Sequence, residues 1–399
     1  MRSKFTSKAT AAWLFSVHSW TGLINGIWLL ILGITGALFV YTVELDQWAN
    51  QDKLRVQPSS HRLPYDSLVR KVRNQFPAAI GTNIIRFPAG PGESVQFRIY
   101  TENNSLPMRD RSQTFFMDLN PYTGEMLRLG NHARISDSLL MWSASFHWNL
   151  QLGTVGELIV TLAGILLFVH LITGAVIYRK YIWKVFAFRA PMQWKNWRTT
   201  TSGIHRYVGV WSLMFNVLIF FSGLQMTWGV FSEAAWKKSA AIRPYTGTLA
   251  SVDSMLARTE RIFPGFETKY FYIPFSLRPD SDKPGPSVAM GRIPGTPHII
   301  PDSWSQVVFD AASGKTLKTI DANQELSNKG LWDKFLYIAY SFHAGTFAGE
   351  ISRVIYVAIG LTPSILALTG FMLWWRRKRS PDSVRAAEMK YKKHWINTI

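Results

Sequence analysis

The sequence predicts a membrane protein: a four-helix transmembrane bundle produced by an internal duplication, with two soluble α+β modules on one side of the bilayer. Three observations predict it. Four runs, 13–41, 158–178, 207–230 and 354–375, reach the roughly 20 apolar residues that cross a bilayer. Basic residues gather in three short segments at the ends of those runs. The second half of the chain also repeats landmarks of the first at a nearly constant offset.

The composition supports the first observation. The 399 residues include 17 Trp and 25 Phe, and the mean hydropathy is +0.03. That is too apolar for a disordered chain and too polar for one wholly embedded in lipid. Segments 1–12, 179–206 and 376–399 hold 3, 7 and 8 basic residues against 0, 0 and 2 acidic ones, a net +16 of the formal +19. The positive-inside tendency places these segments, and both termini, in the cytoplasm. Topology thus accounts for the high pI, and no nucleic-acid partner is expected. The first apolar run is longer than the roughly 7–15 residues of a signal-peptide core and no small-x-small site follows it, so it should stay as an anchor. No cysteine is present, which excludes disulfides, iron–sulfur clusters and thioether-linked haem.

The repeat is read from matched positions. His18-x-x-x-Gly22 matches His205-x-x-x-Gly209 at an offset of 187, as do Asp66-Ser67 with Asp253-Ser254 and Phe76-Pro77 with Phe263-Pro264. Asn120 to Gly124 matches Asp310 to Gly314 at 190, and His147 and Gly174 match His343 and Gly370 at 196. A unit of helix out, soluble module, interfacial segment and helix back, used twice with both ends inside, gives a pseudo-two-fold along the membrane normal. The expected order is 1–44 for the tail and first span, 45–138 for module one and 139–180 for an interfacial segment and second span. A cytoplasmic loop (181–204) and third span (205–231) follow. Module two (232–332), a second interfacial segment and fourth span (333–378) and a cytoplasmic tail (379–399) complete the chain.

Within the modules, 65–75 has helical spacing (Leu68, Val69, Val72) and stops at Phe76-Pro77, because proline cannot continue a helix. Residues 94–100 alternate, with Val95, Phe97 and Ile99 on one face, and 114–117 leads into an Asn-Pro-Tyr-Thr-Gly turn. In module two, 254–261 is a helix, 270–275 and 306–309 are strands, and the Pro- and Gly-rich 278–301 should be a long loop over the sheet.

Histidines carry the chemistry. His18 and His205 lie near the cytoplasmic ends of spans one and three; His147 and His343, both in Ser-Phe-His settings, precede spans two and four on the outer side. Two matched pairs at two depths is the layout of a transmembrane di-haem bundle, since bis-imidazole ligation takes one His from each of two facing helices. His170 stands deeper along span two, with Leu366 as its counterpart, and could replace one ligand of the inner haem or line it. Gly22, Gly26, Gly209, Gly174 and Gly370 remove side chains where helices must accept a porphyrin or each other. His61, His132, His298 and His394 read as surface residues, with His298 a weak metal candidate. Arg179, Lys180, Lys184, Arg189, Lys195 and Arg198, with Trp183, Trp194 and Trp197, could dock an anionic flavin or a reductase, although topology and an aromatic belt also explain them. The usual signatures of hydrolases and nucleotide-binding proteins do not occur.

These features resemble the PepSY-associated transmembrane (PepSY-TM) family. The resemblance rests on the His-x-x-x-Gly openings, the Phe-His segments, the Thr-Gly helix endings at Thr173-Gly174 and Thr369-Gly370, and Asp118 to Glu125 in module one. Asp310 to Gly314 is a more eroded version of that last motif. The resemblance implies PepSY-like periplasmic modules and two b-type haems in the bacterial inner membrane. It also implies reduction of a ferric siderophore, as in siderophore-iron reductases of the ferrioxamine-reductase type. Electrons would come from a cytoplasmic reductase, reduced flavin or NAD(P)H-linked partner. The alternative is a haem-free PepSY membrane scaffold or transporter that binds a peptide or an iron chelate.

Overall fold

In the computed structural model, residues 8–101, 113–236, 243–278 and 281–378 are described. The 108–111 loop, a substrate-side candidate by its position in the sequence, lies outside them, as do His394 and the tail from 379. The chain divides into two compact units, one of Met1–Ala37, Thr161–Leu224 and Val357–Ile399, the other of Leu38–Val160 and Gln225–Tyr356.

The first unit is helical. Four stretches are long and apolar enough to cross a membrane: Ala9–Phe39, Gly153–Tyr178, Leu213–Phe231 and Glu350–Lys378. The third is preceded by the helix Trp197–Trp211 and resumes after Ser212 as Leu213–Thr227, so His205 stands on a separate helical stretch ahead of the span. The fourth is likewise built from Glu350–Gly360 and Thr362–Lys378. Polarity is reversed relative to a water-soluble bundle. Trp20, Ile24, Ile27, Ile172 and Met214 are exposed, whereas Asn25, Thr161, Ser212, Asn216 and Ser364 are buried. Lipid tails leave apolar side chains no reason to hide, so small and polar groups collect where helices meet. At Gly33 a Cβ would fall on the Ser364 hydroxyl, which itself donates to the Leu30 carbonyl at 2.9 Å. Spans one and four therefore touch through backbone.

The second unit is built on one antiparallel sheet in the order β4-β3-β2-β1-β5-β6-β7-β8. Its strands are β1 (Ala79–Arg86), β2 (Val95–Thr101), β3 (Thr114–Leu119), β4 (Met126–Asn131), β5 (Glu267–Pro274), β6 (Pro286–Arg292), β7 (Ser305–Asp310) and β8 (Thr316–Ile320). The two expected modules are thus halves of a single sheet, joined where β1 pairs with β5 from Gly81–Pro274 to Ile84–Phe271. One face carries Ile84, Val95, Phe97, Ile99, Met117, Phe271, Ile273, Val307 and Phe309, and on it lie the helices Tyr65–Gln75 and Val252–Ile262 through Leu68, Val69, Val72 and Met255. These two helices cap each other. Asp253 accepts from the backbone N–H groups of Tyr65 and Asp66 at 3.0 and 2.9 Å, and Asp66 accepts from Val252 N–H and the Ser251 hydroxyl at 2.6 Å each. Each carboxylate satisfies orphan donors at the partner helix's N-terminus.

Three readings need correction. The 278–301 segment is not simply a loop, because β6 within it pairs along both edges, with β5 and β7. The Asp310–Gly314 turn is not degraded in geometry. Gly314 N–H donates to Asp310 O at 2.8 Å and has φ +69°, as Gly124 N–H donates to Asn120 O at 2.8 Å with φ +67°. His132 is not a surface residue; it is buried with its ring edge-on to Phe116, centroids 5.5 Å apart.

Candidate functional site: two sets of histidines

The helical unit brings three imidazoles together. The rings of His18 and His170 stack with centroids 3.8 Å apart and planes 12° from parallel. His18 Nδ1 lies 3.1 Å from the His170 carbonyl and 3.3 Å from Thr173 Oγ1; His170 Nδ1 lies 3.0 Å from the His18 carbonyl and 3.2 Å from Thr21 Oγ1. His205 Nδ1 lies 2.8 Å from Thr369 Oγ1.

Direction settles which ring nitrogen is available. Each threonine hydroxyl donates its own proton back to its helix: Thr21 to Val17 O at 2.8 Å, Thr173 to Val169 O at 2.9 Å and Thr369 to Ile365 O at 2.7 Å. Those oxygens, like the carbonyls, can then only accept from Nδ1–H. The tautomer so selected leaves the Nε2 lone pair open, the arrangement metal-bound histidines take. If this set holds a metal porphyrin, Thr369→Val should weaken its retention about 10–100-fold, the usual cost of losing an outer-shell partner. Haem titration of the variant checks it.

The signal for this was in the sequence and was missed. His18-x-x-Thr21-Gly22 and His170-x-x-Thr173-Gly174 are one motif on adjacent helices, with Thr369-Gly370 and His205-x-x-x-Gly209 its partial copies. The glycine makes room for the neighbour's ring. A Cβ at Gly22 would stand 2.7 Å from His170 Cε1, one at Gly174 3.0 Å from His18 Cε1 and one at Gly370 3.4 Å from His205 Cε1. Gly22 thus faces an imidazole rather than a plate, and Gly209 faces Leu366 at 3.6 Å. Gly26 has nothing within 4 Å of an added Cβ, and the neighbouring Asn25 is buried with both amide atoms unpartnered.

The sheet unit brings together His147 and His343, the last-turn residues of helices Leu139–Asn149 and Leu331–Ala344. Their ring centroids are 6.4 Å apart and their planes 49° apart, with Phe39 6.1 Å from His147. A metal–imidazole bond is about 2 Å and the nitrogen lies roughly 1 Å from its ring centre, so two axial imidazoles on one ion have centres about 6 Å apart. The interplanar angle is unrestricted, because both planes contain the bond axis. The separation matches that of two imidazoles on one iron. The stacked His18–His170 pair does not, since 3.8 Å leaves no room for an ion between the rings.

Backbone geometry fixes the first of these helices at both ends. Ser138 caps it by accepting from Met141 N–H, and donates to Asp46 at 2.7 Å. Asp46 is held bidentately by Arg128 at 3.1 and 2.7 Å; Arg128 also reaches Asp118 at 2.9 Å, and Asp118 accepts from Arg86 at 2.8 Å. Burial pulls the Arg86 guanidinium below its ordinary value while Asp118 holds it up. Two acids and two guanidiniums thus form a buried, charge-balanced chain from the sheet to the His147 helix. At its other end, Leu150 and Gln151 take the left-handed conformation, and Gln151 Nε2 donates to the carbonyls of His132 and Trp142 at 3.0 and 2.9 Å. Gly345, at φ +71°, closes the second helix where a Cβ would fall on Tyr356.

Other candidates are not assembled. Among the described residues, no group of three or more His, Asp or Glu is placed to hold a metal ion, and His298 is exposed with its ring against Gly349. His61 is exposed. Trp183, Trp194 and Trp197 are exposed, and Arg376 lies over Trp197 at 4.6 Å.

Four apolar spans and a sheet unit define a multi-span membrane protein with a large extramembrane part. It belongs to the PepSY-associated transmembrane family: the model of the PepSY-associated TM region matches residues 15–377. No curated protein matches the chain.

Proposed function

We propose that the chain is a di-haem b electron-transfer protein of the bacterial inner membrane, reducing a ferric siderophore in the periplasm with electrons from a cytoplasmic donor. One observation carries it. His147 and His343, one from each half of the chain, stand at the spacing of an axial pair, while three further imidazoles are tethered through Nδ1. Internal duplication explains why both sets draw on both halves. The mirrored strand order about β1 and β5 and the reciprocal Asp66–Asp253 capping support it. The Lys and Arg bias supports a cytoplasmic side for the first set and a periplasmic one for the sheet unit.

Bound haem b supplies a one-electron couple. The chain's part is to supply Nε2 ligands, hold their Nδ1 protons, exclude water with apolar spans and carry the sheet against which a chelate could rest. The donor, a reductase or reduced flavin, gives one electron per ferric ion. Hard oxygen ligands hold the ferrous product less tightly, so iron is released. A pyridine haemochrome assay of the purified protein should give two haem b per chain; a reduced-minus-oxidised spectrum without b-type bands rejects the reading.

A further inference from the structure

We infer that the helical unit carries a binding site for the phosphate of an anionic phospholipid, formed by Arg376 and Arg377 at the end of span four with Arg198 at the start of the helix Trp197–Trp211. The site stands apart from the di-haem reading. It begins from a shortage of charge partners. The described residues of this unit include Lys and Arg but no Asp or Glu. The two acids of the 376–399 segment, Asp382 and Glu388, lie outside the described residues.

Two of the guanidiniums are fixed in a way that leaves their charge unanswered. Arg376 lies over the Trp197 ring at 4.6 Å and Arg377 over the Phe15 ring at 4.4 Å. Stacking engages the flat face of a guanidinium, whereas its N–H donors point outward in the plane. Arg376 Nη1 is buried with no acceptor, a costly state for a charged donor. Arg377 and Arg198 are exposed, and Arg198 follows Trp197 directly in the chain. The rings thus hold the cations in place, and the exposed members offer a ligand the way in.

Position selects the anion. Arg376 and Arg377 lie in the last turn of the Thr362–Lys378 helix, where an apolar span gives way to basic residues. At that depth the surroundings supply lipid phosphates, whose oxygens match the paired donors of guanidinium groups. The occupant also bridges two helices with a stake in the histidine set. Arg376 is seven residues beyond Thr369, two turns along and on the same side, and Trp197 is eight residues before His205. The His205–Thr369 contact at 2.8 Å and the Arg376–Trp197 stack are therefore two points of one helix packing, and a phosphate at the second steadies the first.

The test uses the full chain, delipidated in detergent and titrated with dioleoylphosphatidylglycerol or dioleoylphosphatidylcholine, with lipid retention in native mass spectrometry and the thermal unfolding midpoint as readouts. Phosphatidylglycerol should be retained preferentially and should raise the midpoint more than phosphatidylcholine does. Arg376→Gln and Arg377→Gln should each weaken its retention about tenfold, the factor expected for losing one charge-assisted hydrogen bond. Lys180→Gln, which removes an exposed charge just beyond span two, should leave retention unchanged. Arg377→Lys keeps the charge without the fork and should fall between, which preserves the test where a Gln variant does not fold. Equal retention of the two lipids by wild type overturns the proposal. So does a loss in Lys180→Gln as large as in Arg376→Gln, which would make the attraction a diffuse surface effect. Stabilisation by inorganic phosphate or flavin mononucleotide that depends on Arg376, with no response to phosphatidylglycerol, overturns it too and assigns the cations to a soluble phosphate.

Discussion

His147→Ala, and separately His343→Ala, should reduce haem b in the purified protein from two per chain to one, with the remaining haem keeping its spectrum and potential. The expected loss of affinity at the outer site exceeds the 10–100-fold of an outer-shell change, because a ligand itself is removed. The structure makes this a local experiment. The helix bearing His147 is fixed by the Ser138 cap, the Asp46–Arg128 pair and the Gln151 clamp, none of which involves the imidazole. The second helix is closed by Gly345 and by Tyr337 against Trp304, ring centres 4.0 Å apart. Pyridine haemochrome counts and redox titration of both variants measure it. Full haem content in both would remove the pair from the outer site, however well 6.4 Å suits an iron.

Legibility of the fold followed the kind of force that sets each element. The spans were visible because bilayer thickness demands long uncharged runs, and β2 was visible because Val95, Phe97 and Ile99 alternate on a one-sided core. Strands β1, β4, β6 and β8 were not, and the first three each contain a glycine that reads locally as a breaker. In the fold those glycines are contact points. Gly81 lies under the Tyr272 hydroxyl, Gly130 pairs with Phe116 whose ring covers it, and a Cβ at Gly291 would fall on the Glu267 carbonyl. Glycine in a strand marks close approach as often as a break, and only the neighbour's identity tells which. The fusion of two halves through β1 and β5 was hidden for a related reason, since it pairs segments nearly 190 residues apart with no turn between them to announce it.

At the site, residue types were legible and partnerships were not. Both pairs of matched histidines could be found by sliding the sequence on itself, yet that comparison set His18 against His205, its repeat mate, and treated His170 as an outlier. The structure stacks His18 on His170 instead. Helix adjacency, not repeat correspondence, decides which rings meet. The alternation of His, Thr and Gly at i, i+3 and i+4 records that adjacency, because each Thr accepts from the other helix's imidazole and each Gly clears space for it.

This geometry makes a sharper prediction for the inner set than repetition alone. His18 and His170 cannot both be axial ligands of one iron while stacked 3.8 Å apart, so an inner haem must take His205 and one of the two. His205→Ala should therefore abolish the inner haem, leaving one haem per chain, and exactly one of His18→Ala and His170→Ala should do the same. The other removes only a stacked neighbour, whose loss leaves a cavity but no vacant coordination position, and should keep both haems with an altered axial-ligand signature in electron paramagnetic resonance. The double variants discriminate further. His205→Ala with His147→Ala should be colourless, whereas His147→Ala with the non-ligating member of the stack should keep one haem. Retention of inner haem by His205→Ala would mean that the stack opens to admit iron between His18 and His170, against the mutual Nδ1 tethers at 3.1 and 3.0 Å that hold it closed.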